Sequence, residues 1–256
     1  MNRINNAFRN GKAFIAFLTG GDPDIETTEA LIPVMEAAGA DIIEIGIPFS
    51  DPIAEGPVIQ AASARSLAAG CTVDRLFDMV ARVRKTVKIP LLFMTYANPI
   101  YAYGTQRFME RCQTCGIDGI IVPDVPFEER DEFRDACRAY HITQIYLVAP
   151  TSESRAADIA RESEGFLYCV SSLGVTGVRA EIDDSIADII RIARSVTDTS
   201  CAIGFGIATP EQAAHMAKYA DGVIVGSAIV RIIAAHGRDS AGPVYDYMKS
   251  MKEAII

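Results

Sequence analysis

The chain has 256 residues, half of them apolar, with 33 acidic against 24 basic side chains and no tryptophan. That length fits two small domains or one large barrel, and the apolar half with 22% charged residues excludes a disordered chain. A net charge of −9 excludes nucleic acid as a main partner, since phosphate backbones need clustered Lys and Arg, but not one small phosphorylated ligand held by backbone N–H groups.

The polar segment from Met1 to Lys12 lacks the hydrophobic stretch of a secretory signal. No apolar run reaches the roughly 20 residues that span a bilayer, so no membrane association is expected. Six cysteines are too few for a disulfide scaffold in a chain of this length. They are expected to be reduced, in a cytoplasmic protein. After the polar start, short β-branched runs alternate with amphipathic segments. Strands are predicted over residues 13–18, 42–46, 90–95, 119–122, 142–148, 166–170, 201–204 and 222–225. Their hydrophobicity is near-continuous rather than alternating, as strands covered on both faces require. Helices are predicted between them, among others over 25–38, 75–87, 108–115, 128–140 and 186–196. In the fourth of these, Phe133, Ala136, Cys137 and Tyr140 make an i, i+3, i+4, i+7 stripe.

A faint repeat runs through the chain. Ala38-Gly39-Ala40-Asp41-Ile42-Ile43, Gly116-Ile117-Asp118-Gly119-Ile120-Ile121 and Ala220-Asp221-Gly222-Val223-Ile224-Val225 read alike. Each is a helix end, a turn with Asp, then a strand, the Asp suiting a tight return. Eight strand–helix units without a linker predict an α/β fold, a single (β/α)8 TIM barrel occupying residues 1–256 as one domain. Catalytic groups in such barrels come from the C-terminal ends of the strands and the loops after them.

Glu44 stands in the apolar run Ile42-Ile43-Glu44-Ile45-Gly46 of the second strand. A carboxylate there is costly unless paired, which raises its pKa toward neutrality and suits it to carry a proton. The alternative is a structural Glu satisfied by hydroxyls or backbone N–H groups. Glu55 follows in the loop overhanging the same barrel mouth, where a solvated side chain is the ordinary state and a second acid–base group the functional one. Asp51, beside Pro52, reads as a turn residue, and Asp124 as a cap on local backbone. Gly177, Gly206, Gly226 and Ser227 end the last three strands, where glycine lets N–H groups approach an anion and a helix starting at Ser227 presents its N-terminus. This is a common phosphate site in barrels. Phe17, Met94, Tyr168 and Phe205 lie at strand ends and are either the walls of an aromatic pocket or top-layer core.

Absences narrow the chemistry. None of the six lysines lies at the C-terminal end of a predicted strand, which disfavours imine formation. His141, His215 and His236 are scattered, which disfavours a histidine-bound metal. Cys112 and Cys115 form a C-x-x-C near a predicted helix end, without the second pair a zinc site needs, and read as packed helix residues. Metal-free acid–base chemistry by carboxylates on a phosphorylated substrate remains.

The run Glu44-Ile45-Gly46-Ile47-Pro48-Phe49-Ser50-Asp51-Pro52-Ile53-Ala54-Glu55-Gly56-Pro57 resembles the signature of the tryptophan synthase alpha chain family. Phe17 to Pro23, Tyr96-Ala97-Asn98, Asp124-Val125-Pro126, Gly174-Val175-Thr176-Gly177, Gly204-Phe205-Gly206 and Gly226-Ser227-Ala228-Ile229-Val230 match in order, over essentially the whole chain. The resemblance implies an N-terminal helix closing the barrel bottom. It also implies a lyase that cleaves indole-3-glycerol phosphate to indole and glyceraldehyde 3-phosphate, in tryptophan biosynthesis and with no cofactor. By the same resemblance Glu44 protonates the indole ring at C3 and takes the glycerol hydroxyl proton. Glu55 handles the charge at the indole N–H, and Thr176 hydrogen-bonds that carboxylate when the site closes. Gly177, Gly206, Gly226 and Ser227 hold the phosphate, with Tyr168 and Phe205 in the pocket. The implied partner is a pyridoxal-phosphate beta chain, in an alpha2-beta2 heterotetramer, docked on the loop from Pro48 to Ala54 and the loop after the sixth strand. Pro48, Phe49, Pro52 and Ile53 are expected to form an exposed apolar patch there. Two departures stand out: Glu55 replaces the family's usual Asp, and position 172 is Ser where some relatives carry Arg. Glu55 motivates one alternative, a catalytically weak subunit acting mainly as the beta chain's allosteric partner; a free-standing lyase is the other.

Overall fold

A computed structural model describes residues 2–170, 185–204 and 206–256. Nine strands make one sheet: β1 (Ala13–Thr19), β2 (Ile42–Gly46), β3 (Leu91–Met94), β4 (Gly119–Ile121), β5 (Thr143–Ile145), β6 (Leu147–Val148), β7 (Phe166–Val170), β8 (Ser200–Gly204) and β9 (Gly222–Val225). All neighbouring pairs are parallel, in the order β5-β4-β3-β2-β1-β9-β8-β7-β6. The two ends of that order are halves of the single strand expected over 142–148. Tyr146 interrupts it: Thr143–Ile145 pairs with β4 and Leu147–Val148 with β7, while the Tyr146 carbonyl accepts from the Tyr168 N–H at 3.0 Å. Eight expected strands thus become nine segments of a nearly closed TIM barrel.

Strand alternation sorts the side chains into two cores. Ala13, Ile15, Ile42, Leu92, Ile121, Phe166 and Ala202 fill the barrel. Phe14, Leu18, Ile43, Ile45 and Phe93 face outward against Leu31, Met35, Leu76, Phe77 and Phe108 of the surrounding helices. The helix predicted over 75–87 runs instead from Val73 to Val83, because Thr72 caps it by accepting from the Arg75 N–H at 3.2 Å. The stripe in the predicted 128–140 segment buries Phe133, Ala136 and Cys137, on a helix limited to Asp131–Ala139.

The short helix Arg3–Ala7 closes the barrel bottom. Asn2 caps it, accepting from the Ile4 N–H, and donates to Thr143 Oγ1 at 2.7 Å. Ile4 is fully buried in the barrel core, and a Cβ on Gly119 or Gly165 would stand 3.3 or 3.1 Å from it.

The repeated Asp has a structural cause other than a tight turn. Asp41, Asp118 and Asp221 each accept from a backbone N–H in the first two residues of the neighbouring strand: Phe14 at 2.7 Å, Leu91 at 3.0 Å and Cys201 at 2.9 Å. Their own N–H groups donate back to the same three residues. Each carboxylate also meets a cation, from Lys252, from Arg84 and Arg3, and from Arg194. The repeat is a set of inter-strand latches at the end opposite the site.

Candidate active site

The alternation of β2 sends Ile43 and Ile45 to the helices and Glu44 into the barrel, opposite Phe17 in the register. Glu44 is fully buried, and neither carboxyl oxygen has a hydrogen-bond partner among the described residues. Desolvation alone pushes its pKa up to about 8. Of the two states open to it, the structural Glu held by hydroxyls or N–H groups is not what the geometry shows. Room beside it comes from close-packed glycines. A Cβ on Gly46 would lie 2.7 Å from the Phe17 ring, and one on Gly204 would lie 2.5 Å from the Tyr168 hydroxyl.

Glu55 reaches the same cavity from the loop after β2. Its Oε2 is buried without a partner among the described residues, and burial pushes its pKa up to about 7, against the pull of the Tyr96 hydroxyl beside it. Tyr96 also anchors the loop, accepting from the Ala54 N–H at 3.1 Å and packing its ring on Phe49 at 5.4 Å between centroids. Gln60 Nε2 ties the Glu55 carbonyl at 2.7 Å. The expected exposed patch on this loop needs correction. Pro48 is buried and Phe49 and Pro52 are half-buried, so only Ile53, 75% exposed, stands clear. Asp51 is exposed and accepts from Ser50 Oγ. Asp124 does cap backbone, though not locally: both its oxygens accept from the Ala97 N–H, 27 residues away, at the start of helix Ala97–Tyr103.

The opposite wall carries Gly206, with φ +79°, then Gly226 and Ser227 at the start of helix Ser227–His236. Ser227 Oγ is buried and has no partner among the described residues. First-turn N–H groups of a helix lack intrahelical acceptors and face an anion with a favourable dipole. A cavity of about 680 Å³, counting its mouth, joins both walls. Glu44, Glu55, Phe17, Met94, Tyr168, Gly206, Gly226 and Ser227 all line it. Thr176, Gly177, Phe205 and Ser172 lie outside the described residues.

Some lining residues were not anticipated. Ile59, Ile207, Ala208 and Ala228 complete the apolar wall, and Arg231 adds a cation. The signal for Arg231 was its spacing, four residues after Ser227 and so on the same helix face. The C-x-x-C is buried on helix Thr105–Cys115 and does not line the cavity. Burial raises both thiols, Cys115 to about 11, which leaves them protonated and inert.

A family model described as tryptophan synthase alpha chain matches residues 4–255. The tryptophan synthase alpha chain of Caldanaerobacter subterraneus is 44% identical over 262 residues, covering all of both chains. That of Lactiplantibacillus plantarum is 45% identical over 256 residues, covering 100% of this chain and 97% of its own. Among solved structures, tryptophan synthase subunit alpha from Legionella pneumophila superposes with a TM-score of 0.89 at 35% identity, covering 100% of this chain and 98% of that one. A chain of the tryptophan synthase α2β2 complex of Pyrococcus furiosus superposes with a TM-score of 0.86 at 36% identity, covering 94% and 98%.

Proposed function

The chain belongs to the tryptophan synthase alpha chain family, the lyase subunit that cleaves indole-3-glycerol phosphate in tryptophan biosynthesis, and we propose that Glu44 and Glu55 perform this cleavage by acid–base exchange without a metal. The observation that carries the assignment is Glu44, a fully buried carboxyl with no partner among the described residues, facing a cavity between aromatic rings. With a pKa near 8 it holds a proton at neutral pH. It delivers that proton to indole C3, and the resulting carboxylate takes the proton of the adjacent glycerol hydroxyl. The O–H electrons form the aldehyde C=O as the C–C bond breaks, and the bond's electrons return to the ring. One proton is given and one recovered, and burial keeps it from exchanging with water meanwhile.

Glu55, with a pKa near 7, is ionised often enough to accept from the indole N–H while C3 is protonated. Its extra methylene relative to Asp is taken up by a loop tied to Tyr96 and Gln60. Phe17, Met94 and Tyr168 are assigned to the indole, with Gly206, Gly226 and Ser227 at the phosphate. Thr176, Gly177 and Phe205 are assigned by resemblance alone. Among the described residues, no three His, Cys, Asp or Glu side chains converge where a metal could sit.

The whole chain is read as one barrel domain, supported by a single sheet running from β1 to β9. No described helix is long and apolar enough to cross a membrane. Tryptophan biosynthesis and six buried thiols go with a cytoplasmic location. The beta chain partner docks over the loop after β2, where Ile53 is left exposed.

The test is a steady-state assay of indole release from indole-3-glycerol phosphate, with and without a beta chain. Glu44→Gln and Glu55→Gln are each expected to lose on the order of 10²–10⁴ in rate, the usual worth of a placed acid or base. Cleavage at the unmutated rate in either variant removes that residue from the mechanism.

A further inference from the structure

Among the described residues, thirteen arginines are ion-paired, for example Arg65 with buried Asp22 and Arg84 with Asp118. Among those residues Arg231 makes neither an ion pair nor a hydrogen bond. It is also the single cationic side chain among the described residues that line the cavity. On helix Ser227–His236 it stands one turn beyond Ser227, on the same face. Side chains on a helix lean toward its N-terminus, which turns Arg231 toward the first turn, where the Ser227 hydroxyl is buried without a partner among the described residues.

We propose that Arg231 is a further substrate-binding residue, the charged contact that recognises the phosphate as a dianion. The proposal rests on the assignment of Gly206, Gly226 and Ser227 to the phosphate. Those three supply only neutral donors, and the chain as a whole carries a net charge of −9. A dianion placed there without a counter-charge meets an unfavourable long-range field, which one guanidinium at the cavity wall offsets locally. The exposed position of Arg231 sets the size of the effect: a charge-assisted contact, weakened by solvent, is worth about ten-fold in affinity.

Calorimetric titration of the full-length chain with glycerol 3-phosphate tests the assignment. Arg231→Gln is expected to raise Kd about ten-fold at low ionic strength, and Arg231→Lys to recover most of the loss by restoring the charge. The gap between Arg231→Gln and the unsubstituted chain should narrow as salt is added, because screening acts on a charge and not on packing. Ser227→Ala serves as the reference for the phosphate site itself. Unchanged affinity in Arg231→Gln beside weakened affinity in Ser227→Ala overturns the role of Arg231 and leaves the phosphate site standing. A salt-independent loss in Arg231→Gln overturns it equally. Unchanged affinity in both variants removes the phosphate site as well.

Discussion

Replacing Glu44 by Gln should stabilise the folded chain increasingly as pH rises. The ordinary pKa of a glutamate, 4.5, applies to the unfolded chain, whereas burial holds the folded value near 8. Between those values the folded chain keeps a proton that the unfolded chain has released. The favourable contribution of the neutral carboxyl is therefore fully present below pH 4.5 and is lost as pH rises through 8. A span of about 3.5 pH units, at about 1.4 kcal/mol each, makes the loss about 5 kcal/mol, of which about 3 has accrued by neutral pH. Glutamine has no charge to lose. Its amide is buried without a partner at every pH, a constant offset that leaves the slope untouched. Urea unfolding of both proteins between about pH 5 and pH 9 should therefore give stabilities that diverge by several kcal/mol in favour of Glu44→Gln. Parallel curves would refute the argument, since they mean that Glu44 is solvated or paired in the folded state. The substitution expected to slow cleavage thus also relieves an electrostatic burden on the barrel, a trade of stability against function.

Two further outcomes follow from the packing around the carboxyls. Tyr96→Phe removes the hydroxyl that draws the Glu55 pKa down and leaves the Ala54 N–H without its acceptor. The limb of the kcat/KM profile that reports Glu55 should move to higher pH, with about 1 kcal/mol of stability lost; an unmoved limb contradicts the contact. Gly204→Ala drives a Cβ to between 2.5 and 2.7 Å of the buried Tyr168 ring. It should cost about 1–3 kcal/mol in thermal unfolding and most of the cleavage activity, and an unshifted melting temperature would show that the ring gives way freely.

The strands were legible because a parallel barrel strand is buried on both faces, so its apolar run has few polar interruptions. That same rule made Glu44 conspicuous, as the one charge inside such a run. The break at Tyr146 was not legible. Nothing in Ile142-Thr143-Gln144-Ile145-Tyr146-Leu147-Val148 marks the residue at which one neighbour's ladder stops and the other's begins, since closing the ring sets that point. The repeated Asp was visible as a pattern and misread as a turn residue, because its acceptor role depends on a neighbouring strand up to 27 residues away in the chain. Pro48 was expected on the surface as part of a partner-facing patch, yet it is buried, in a loop whose Ala54 N–H is tied to the Tyr96 hydroxyl. Arg231 was not legible because strand ends and the first turns after them mark barrel sites in a sequence, whereas this cavity extends to the second turn of helix Ser227–His236.

The pairing of β1 with both β2 and β9 has a consequence for synthesis on the ribosome. Ala13 is set against Gly222, so the second flank of the first strand has no partner until about 200 further residues have been made. At translation speeds of about 5–20 residues per second, that wait lasts roughly 10–40 s. Throughout it, an apolar strand offers a row of unpaired N–H and C=O groups to any other nascent chain in reach. The closure that seals the folded sheet is thus the last contact available to the growing one, and the interval before it is when the polypeptide has most need of a chaperone.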